Sequence, residues 1–157
     1  MIECKHIQQP TTQQIDEFHH FFNDYGYASY EGEDFSSFFK KPPYQFITIH
    51  DKGHLCGALL FSHHLDEAEI IEIAIASDKR RQGYGTALLS FVRGVLSEQQ
   101  CKRLILEVAA TNQAAINLYE SCGFVICGKR SGYYQRITGD KMKKIDALIM
   151  ELWLLKV

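Results

Sequence analysis

Proline and tryptophan are scarce in this chain of 157 residues, with three prolines and one tryptophan, and its five cysteines do not pair off evenly. With so little proline and no repeat, no stretch reads as a polyproline linker or a disordered tract, and a length of about 100–150 residues is usual for one domain. The cysteines at 4, 56, 101, 122 and 127 contain no CxxC pair. A disulfide framework wants an even count in a small secreted chain, so reduced thiols in a cytoplasmic protein are expected. Residues 1–14 lack the apolar core of a secretory signal, and no run approaches the roughly 18 apolar residues of a membrane span. Neither a membrane partner nor a resident metal is expected. The histidine pairs His19-His20 and His63-His64 point different ways on a helix or strand, without Cys or Asp at ligand spacing.

Net charge is also small, −2, which argues against direct nucleic-acid binding by the whole molecule. That total hides a division. Residues 1–78 carry four Lys/Arg against thirteen Asp/Glu, whereas residues 79–157 carry thirteen against six. All seven histidines fall in the acidic half. Two surfaces of opposite sign suggest two different partners.

The apolar pattern alternates between two periods. Ile15, Phe18 and Phe22 recur at helical spacing behind Thr11, which forms a capping box with Gln14. A short helix is predicted over residues 35–39, stopped by Pro42-Pro43. Residues 44–50 and 55–63 read as a hairpin joined by the glycine-containing turn Asp51-Lys52-Gly53-His54, and residues 69–76 as a third strand. Helical spacing returns through Leu88, Leu89, Val92 and Leu96. Residues 103–109 form a strand, 112–122 a helix ended by Gly123, and 124–127 and 147–155 two more strands. Lys141, Lys143 and Lys144 fit a solvated hairpin tip. One α/β domain over 1–157 follows, a single mixed and mostly antiparallel twisted sheet with helices on both faces.

Between the third strand and its helix lies Arg80-Arg81-Gln82-Gly83-Tyr84-Gly85. Glycines there free the backbone to turn tightly, and the N–H groups of the next helix suit an anion such as phosphate. No Gly-Lys-Ser/Thr follows, so it is not a Walker loop, and the third glycine of a dinucleotide fingerprint is missing. Downstream stands Leu106-Glu107-Val108, then Asn112-Gln113-Ala114-Ala115-Ile116-Asn117-Leu118-Tyr119-Glu120-Ser121-Cys122-Gly123-Phe124. Strand alternation puts Glu107 in line with Ile105 and Ala109. Partial burial there would suit a proton acceptor, while a solvated face or a pairing with Arg103 or Lys102 would make it structural. Tyr119 shares an apolar helix face with Ala115, Leu118 and Cys122, so packing alone also accounts for it.

The glycine turn together with Asn-x-x-Ala-x-x-Leu-Tyr-x-x-x-Gly-Phe resembles the GNAT family of N-acetyltransferases. Over residues 69–152 the wording is similar to the branch that acetylates ribosomal-protein alanine N-termini. The resemblance implies a GNAT fold with a central parallel pair, acetyl-CoA as cosubstrate, no metal, and a primary amine as acceptor. It implies a pyrophosphate cradle at Arg81, Gln82, Gly83, Tyr84, Gly85 and Thr86, mostly through backbone N–H groups. It places the pantetheine arm against Ile73, Ala74 and Ile75, with Asn112 touching that arm. Glu107 takes the position of the general base and Tyr119 that of the acid protonating the thiolate. Direct attack is expected. An acetyl-cysteine intermediate is not expected, and Cys122 reads as a small core residue.

The match thins before residue 65. The Pro-Trp element of the ribosomal branch is replaced by Tyr25-Gly26-Tyr27-Ala28-Ser29-Tyr30. Gln135 follows Tyr133-Tyr134 where proline is usual, and residues 136–145 are longer and more basic. A protein N-terminus is the leading acceptor, a small amine (polyamine, aminoglycoside or amino-acid-like) the second, and a non-catalytic acetyl-CoA-binding module the third.

Overall fold

Residues 44–64 form strands buried on both faces and residues 67–75 an alternating one, which with an N-terminal edge strand build one half of a seven-stranded sheet; the strands after residue 103 build the other. The computed structural model describes residues 1–26, 35 and 44–154, the side chains of Arg136 and Thr138 excepted. In chain order the elements are β1 (Ile2–Ile7), α1 (Thr12–Tyr25), β2 (Tyr44–Asp51), β3 (His54–His64), β4 (Glu67–Ile75), α2 (Tyr84–Glu98), β5 (Arg103–Ala109), α3 (Gln113–Ser121), β6 (Val125–Thr138) and β7 (Lys141–Trp153). The sheet runs β1-β2-β3-β4-β5-β7-β6. Neighbours are antiparallel except β4 and β5, which are parallel.

The local signals act as their chemistry dictates. Gln14 N donates to Thr11 Oγ1 at 3.1 Å while Thr11 N donates to Gln14 Oε1 at 2.9 Å, closing the capping box of α1. Lys52 and Gly53 both take positive φ, 50° and 79°, as a two-residue hairpin of this twist requires. Gly123 ends α3 at φ 96°.

Two apolar layers clamp the sheet. Leu59, Phe61, Leu104, Leu106 and Met150 face α2 and α3, where Leu88, Val92 and Tyr119 close the layer. Phe46, Leu60 and Ala74 face α1, which supplies Phe18, Phe21 and Phe22, with Phe35 between them. Phe35 is the one described residue of the helix predicted over 35–39; the rest of that segment lies outside the described residues.

The structure corrects the predicted elements in two places. β1 is an additional strand: its residues Ile2, Glu3, Cys4, Lys5, His6 and Ile7 mix charges into a sheet edge, so no apolar run announces it. The last two strands are also far longer than residues 124–127 and 147–155. They form a hairpin around Gly139, and the polar residues 129–144 lie in its ladder instead of a loop. Bulges interrupt that ladder between Ile126 and Gly128 and between Arg130 and Tyr134, and Gly132 N donates to Asp146 Oδ1 at 2.8 Å within the second. No helix among the described residues is long and apolar enough to cross a membrane.

One irregularity positions everything that follows. In the β3–β4 ladder Leu60 pairs with Glu72 but Phe61 pairs with Ile70, which leaves Ile71 as an extra residue in β4. A bulge of this kind bends its strand and re-aims the side chains beyond it. The parallel β4–β5 ladder covers only Glu67–Ile70 against Arg103–Leu106. Past Ile70 and Leu106 the two strands part.

Gly57, on β3 beside the bend, is a sensitive point of this packing. A Cβ there would meet Ile75 Cδ1 at 2.7 Å, Ile49 Cγ2 at 2.9 Å and Leu88 Cδ1 at 3.1 Å. Gly57→Ala is expected to destabilise the fold by about 1–3 kcal/mol through overpacking, measured as a lower urea midpoint with unchanged m-value.

Candidate active site

Where β4 and β5 diverge, α2 and α3 border a cleft of about 620 Å³. One wall is the end of β4, Ile73, Ala74 and Ile75. Their other edge pairs with Leu59, Ala58 and Gly57 of β3. Toward β5 the ladder has stopped, so the backbone groups on that side face the cleft without a strand partner, an edge inside the sheet able to bond an extended amide-bearing ligand.

The floor of the anion end is the glycine turn. Arg81 (φ 62°) and Gly83 (φ 89°) are both left-handed, which folds the chain sharply before α2 begins. Gly83 is the N-cap residue of α2 and provides no side-chain cap, whereas Thr11 caps α1 and Asn112 caps α3. The first N–H groups of α2 therefore open into the cleft at the positive end of the helix. Gly85 serves a different purpose. A Cβ on it would stand 2.8 Å from Leu118 Cδ2, the far end of a flexible side chain, so α2 and α3 touch here through Leu118.

Charge on the cleft lining has one sign. Lys79, Arg80 and Arg81 are there, and no Asp or Glu is among the described lining residues. Lys79 lies 3.7 Å from Asp51 and its ammonium is held charged, by Tyr84 foremost. Arg80 is tied down: Nε donates to Ile75 O at 3.1 Å and Nη2 to Tyr25 O at 3.2 Å, joining the end of β4 to the end of α1.

Of the residues singled out in the sequence, Ile73, Ala74, Ile75, Arg81, Gly83, Gly85, Thr86, Asn112 and Tyr119 all line this cleft. Gln82 and Tyr84 do not. The Gln82 amide donates to Asp78 O at 2.8 Å, and the Tyr84 ring is buried with its hydroxyl 3.5 Å from Asp51 Oδ2. Only their backbones are left to serve a ligand. Asn112 spends Oδ1 on Ala115 N, at 3.3 Å, as the cap of α3. Tyr25, Gly26, Arg80 and Leu118 line the cleft as well. Sequence spacing could not reveal Tyr25 and Gly26, which arrive from the far end of α1.

Tyr119 projects from α3 into the cleft, packed against Phe124 with ring centres 5.7 Å apart. It is buried, and that burial, with the negative charge of Glu72 second, pushes its hydroxyl well above the usual phenol range. It keeps its proton at neutral pH and can supply it to a strongly basic leaving atom.

Glu107 is not on the cleft lining. It stands on β5 just beyond the last parallel pair, on the face away from Leu106 and Val108. Its partner is neither Arg103 nor Lys102, which pair with Glu67 and Glu151 and with Asp66. Arg130 of β6 donates through Nη1 to Glu107 Oε1 at 2.9 Å, and its guanidinium lies over the Tyr133 ring at 3.9 Å. A buried phenol and a carboxylate thus approach the parting of β4 and β5 from opposite faces of the sheet.

The acetyltransferase (GNAT) family pattern matches residues 11–124. The chain belongs to that family. It is similar to the [ribosomal protein bS18]-alanine N-acetyltransferase of Escherichia coli K12, 34% identical over 145 residues, which are 91% of this chain and 89% of the relative. The crystal structure of the ribosomal-protein-S18-alanine N-acetyltransferase from Escherichia coli superposes with TM-score 0.85 and 30% identity, over all of this chain and 96% of that one. Arabidopsis thaliana NAA60, solved in complex with acetyl-CoA, shares the fold with TM-score 0.81 at 18% identity, over 98% of each chain. The present enzyme is an acetyltransferase that uses acetyl-CoA, and its cleft suits that cosubstrate: cations and helix N–H groups at one end, an open strand edge along the side, a buried phenol at the other end.

In Gly83→Ala the new side chain must sit at a left-handed φ, at a cost of about 1–2 kcal/mol. The expected result is weaker acetyl-CoA binding by calorimetry, with the peptide KM of the residual activity little changed.

Proposed function

We propose that this enzyme, read as one acetyltransferase domain over 1–157, acetylates the N-terminal α-amine of a protein, with a ribosomal protein as the leading acceptor. The observation that carries this reading is the placement of Glu107. Among the described residues it is reached from an open face bordered by Arg130 and Tyr133, each about half exposed, and not from within the cleft. A chain end can arrive at such a face, whereas a small amine gains little from it. The relative at 34% identity, named for a ribosomal-protein alanine, supports the same choice. The five free cysteines favour a reducing, cytoplasmic setting.

The chemistry is direct transfer. Acetyl-CoA supplies the activated acyl group. Arg81 to Thr86 would hold its diphosphate through backbone N–H groups, Ile73 to Ile75 would align its arm, and the Asn112 side-chain amide would contact that arm. Glu107 takes a proton from the acceptor ammonium, directly or through water, leaving the nitrogen lone pair free to attack. Backbone N–H groups of Ile73 to Ile75 face the developing oxyanion. Tyr119 donates its proton to the departing sulfur.

Glu107→Gln and Tyr119→Phe are each expected to lower kcat by about 10²-fold or more, with acetyl-CoA affinity nearly unchanged. Free-thiol release from acetyl-CoA with alanine-, serine- and methionine-started peptides and with polyamines checks both claims. Wild-type rates in the two variants overturn the roles. Turnover with polyamines but with no peptide overturns the acceptor and favours the small-amine reading.

A further inference from the structure

Acetylation strips two protons from one nitrogen. The ammonium loses the first before attack, its N–H electron pair staying on nitrogen to form the C–N bond. It loses the second as the tetrahedral adduct collapses and the C–S bond breaks. The sulfur takes one proton from Tyr119, which the second amine proton restores, and the other must leave the site. Glu107 already accepts a hydrogen bond from Arg130.

A second carboxylate stands beside it. Glu69 of β4 is in register with Ile105 of β5, and parallel neighbours share a face, so Glu69 and Glu107 lie on the same side of the sheet within electrostatic reach. Glu69 also borders a surface hollow of about 490 Å³ with His64, Glu67 and Ile105, open to solvent at the foot of the parallel pair. The groups around it are few among the described residues. Glu67 is drawn to Arg103 at 3.2 Å and Asp66 to Lys102 at 3.5 Å, His64 lies on the β3 side, and Glu107 and Arg130 lie on the β5–β6 side.

We propose that Glu69 is a second proton acceptor of the acetyl transfer, receiving the amine proton beside Glu107 and passing it to the solvent-filled hollow. The proposal rests on the reading of Glu107 as base. Burial first, and the Glu107 charge second, push the Glu69 carboxyl above the usual carboxylate range, with Arg130 pulling the other way. That direction suits a proton acceptor working near neutrality.

The test is CoA release against pH for wild type, Glu69→Gln, Glu69→Asp, Glu107→Gln and the double Gln variant, on whichever amine the wild type acetylates best. Glu69→Gln is expected to lower kcat by about 10²-fold with acetyl-CoA KM within about two-fold, Glu69→Asp recovering part of the loss. A carboxyl titrating high must be ionised to act, so wild-type activity falls on the acid side at the Glu69 titration. In Glu69→Gln that acid limb is displaced to lower pH. Groups acting as one unit are non-additive, so the double variant is expected to be little slower than the slower single one. A wild-type kcat and pH profile in Glu69→Gln, or an effect on peptide KM alone, overturns the proposal while leaving the acetyl-transfer reading intact. A loss in Glu69→Gln beside an unimpaired Glu107→Gln overturns Glu107 as base and the pairing with it. A wild-type enzyme that releases no CoA with any amine overturns both readings.

Discussion

The parting of β4 from β5 is the constraint on which the rest of the structure depends. A parallel ladder that ran its full length would bury the edge of Ile73–Ile75 against β5 and leave no cleft. One extra residue, Ile71, bends β4 after Ile70, and the pairing ends there. The fold leaves backbone hydrogen-bonding capacity unspent inside a sheet, where it is normally consumed. A long ligand with its own amides can make up that deficit; Tyr119 lines the same cleft, and Glu107 stands just past the last parallel pair.

The division of charge along the chain has a spatial counterpart, though not a simple one. The cleft lining is cationic through Lys79, Arg80 and Arg81, at the start of the basic half. The acidic half contributes Glu69 beside Glu107 and Glu72 beside Tyr119, while Asp66 and Glu67 are matched by Lys102 and Arg103. Arg130, from the basic half, faces the acceptor side. Sequence charge therefore tells which end of the cleft is cationic, but not which carboxylates the fold gathers beside it.

What could be read from the chain depended on how local each cause was. The capping box of Thr11 and Gln14, the Lys52-Gly53 turn and the helix stop at Gly123 are decided within a few residues, and each is where the pattern puts it. β1 was invisible because an edge strand need not carry an apolar face, and the β6–β7 ladder because its residues 129–144 are polar, glycine-containing and bulged. The site divides along the same line. Gly83 and the open N-terminus of α2 are local, so the turn was legible. The use of Gln82 and Tyr84 side chains on Asp78 and Asp51, and the Arg130 partner of Glu107, depend on tertiary contacts that spacing does not encode.

The close approach of Gly85 to Leu118 makes the site a caliper. Leu118 precedes Tyr119 on α3, and Gly85 is the second residue of α2, so the glycine turn and the buried phenol belong to two helices that touch at this point. Both helices also pack on one apolar layer of the sheet, so the spacing of turn and phenol is set by the protein and not by the ligand. A carrier with an arm longer or shorter than this span would present its thioester out of reach of the Tyr119 hydroxyl, however well its phosphates were held. On the proposed reading, selection of the acyl carrier is in this sense a measurement of length.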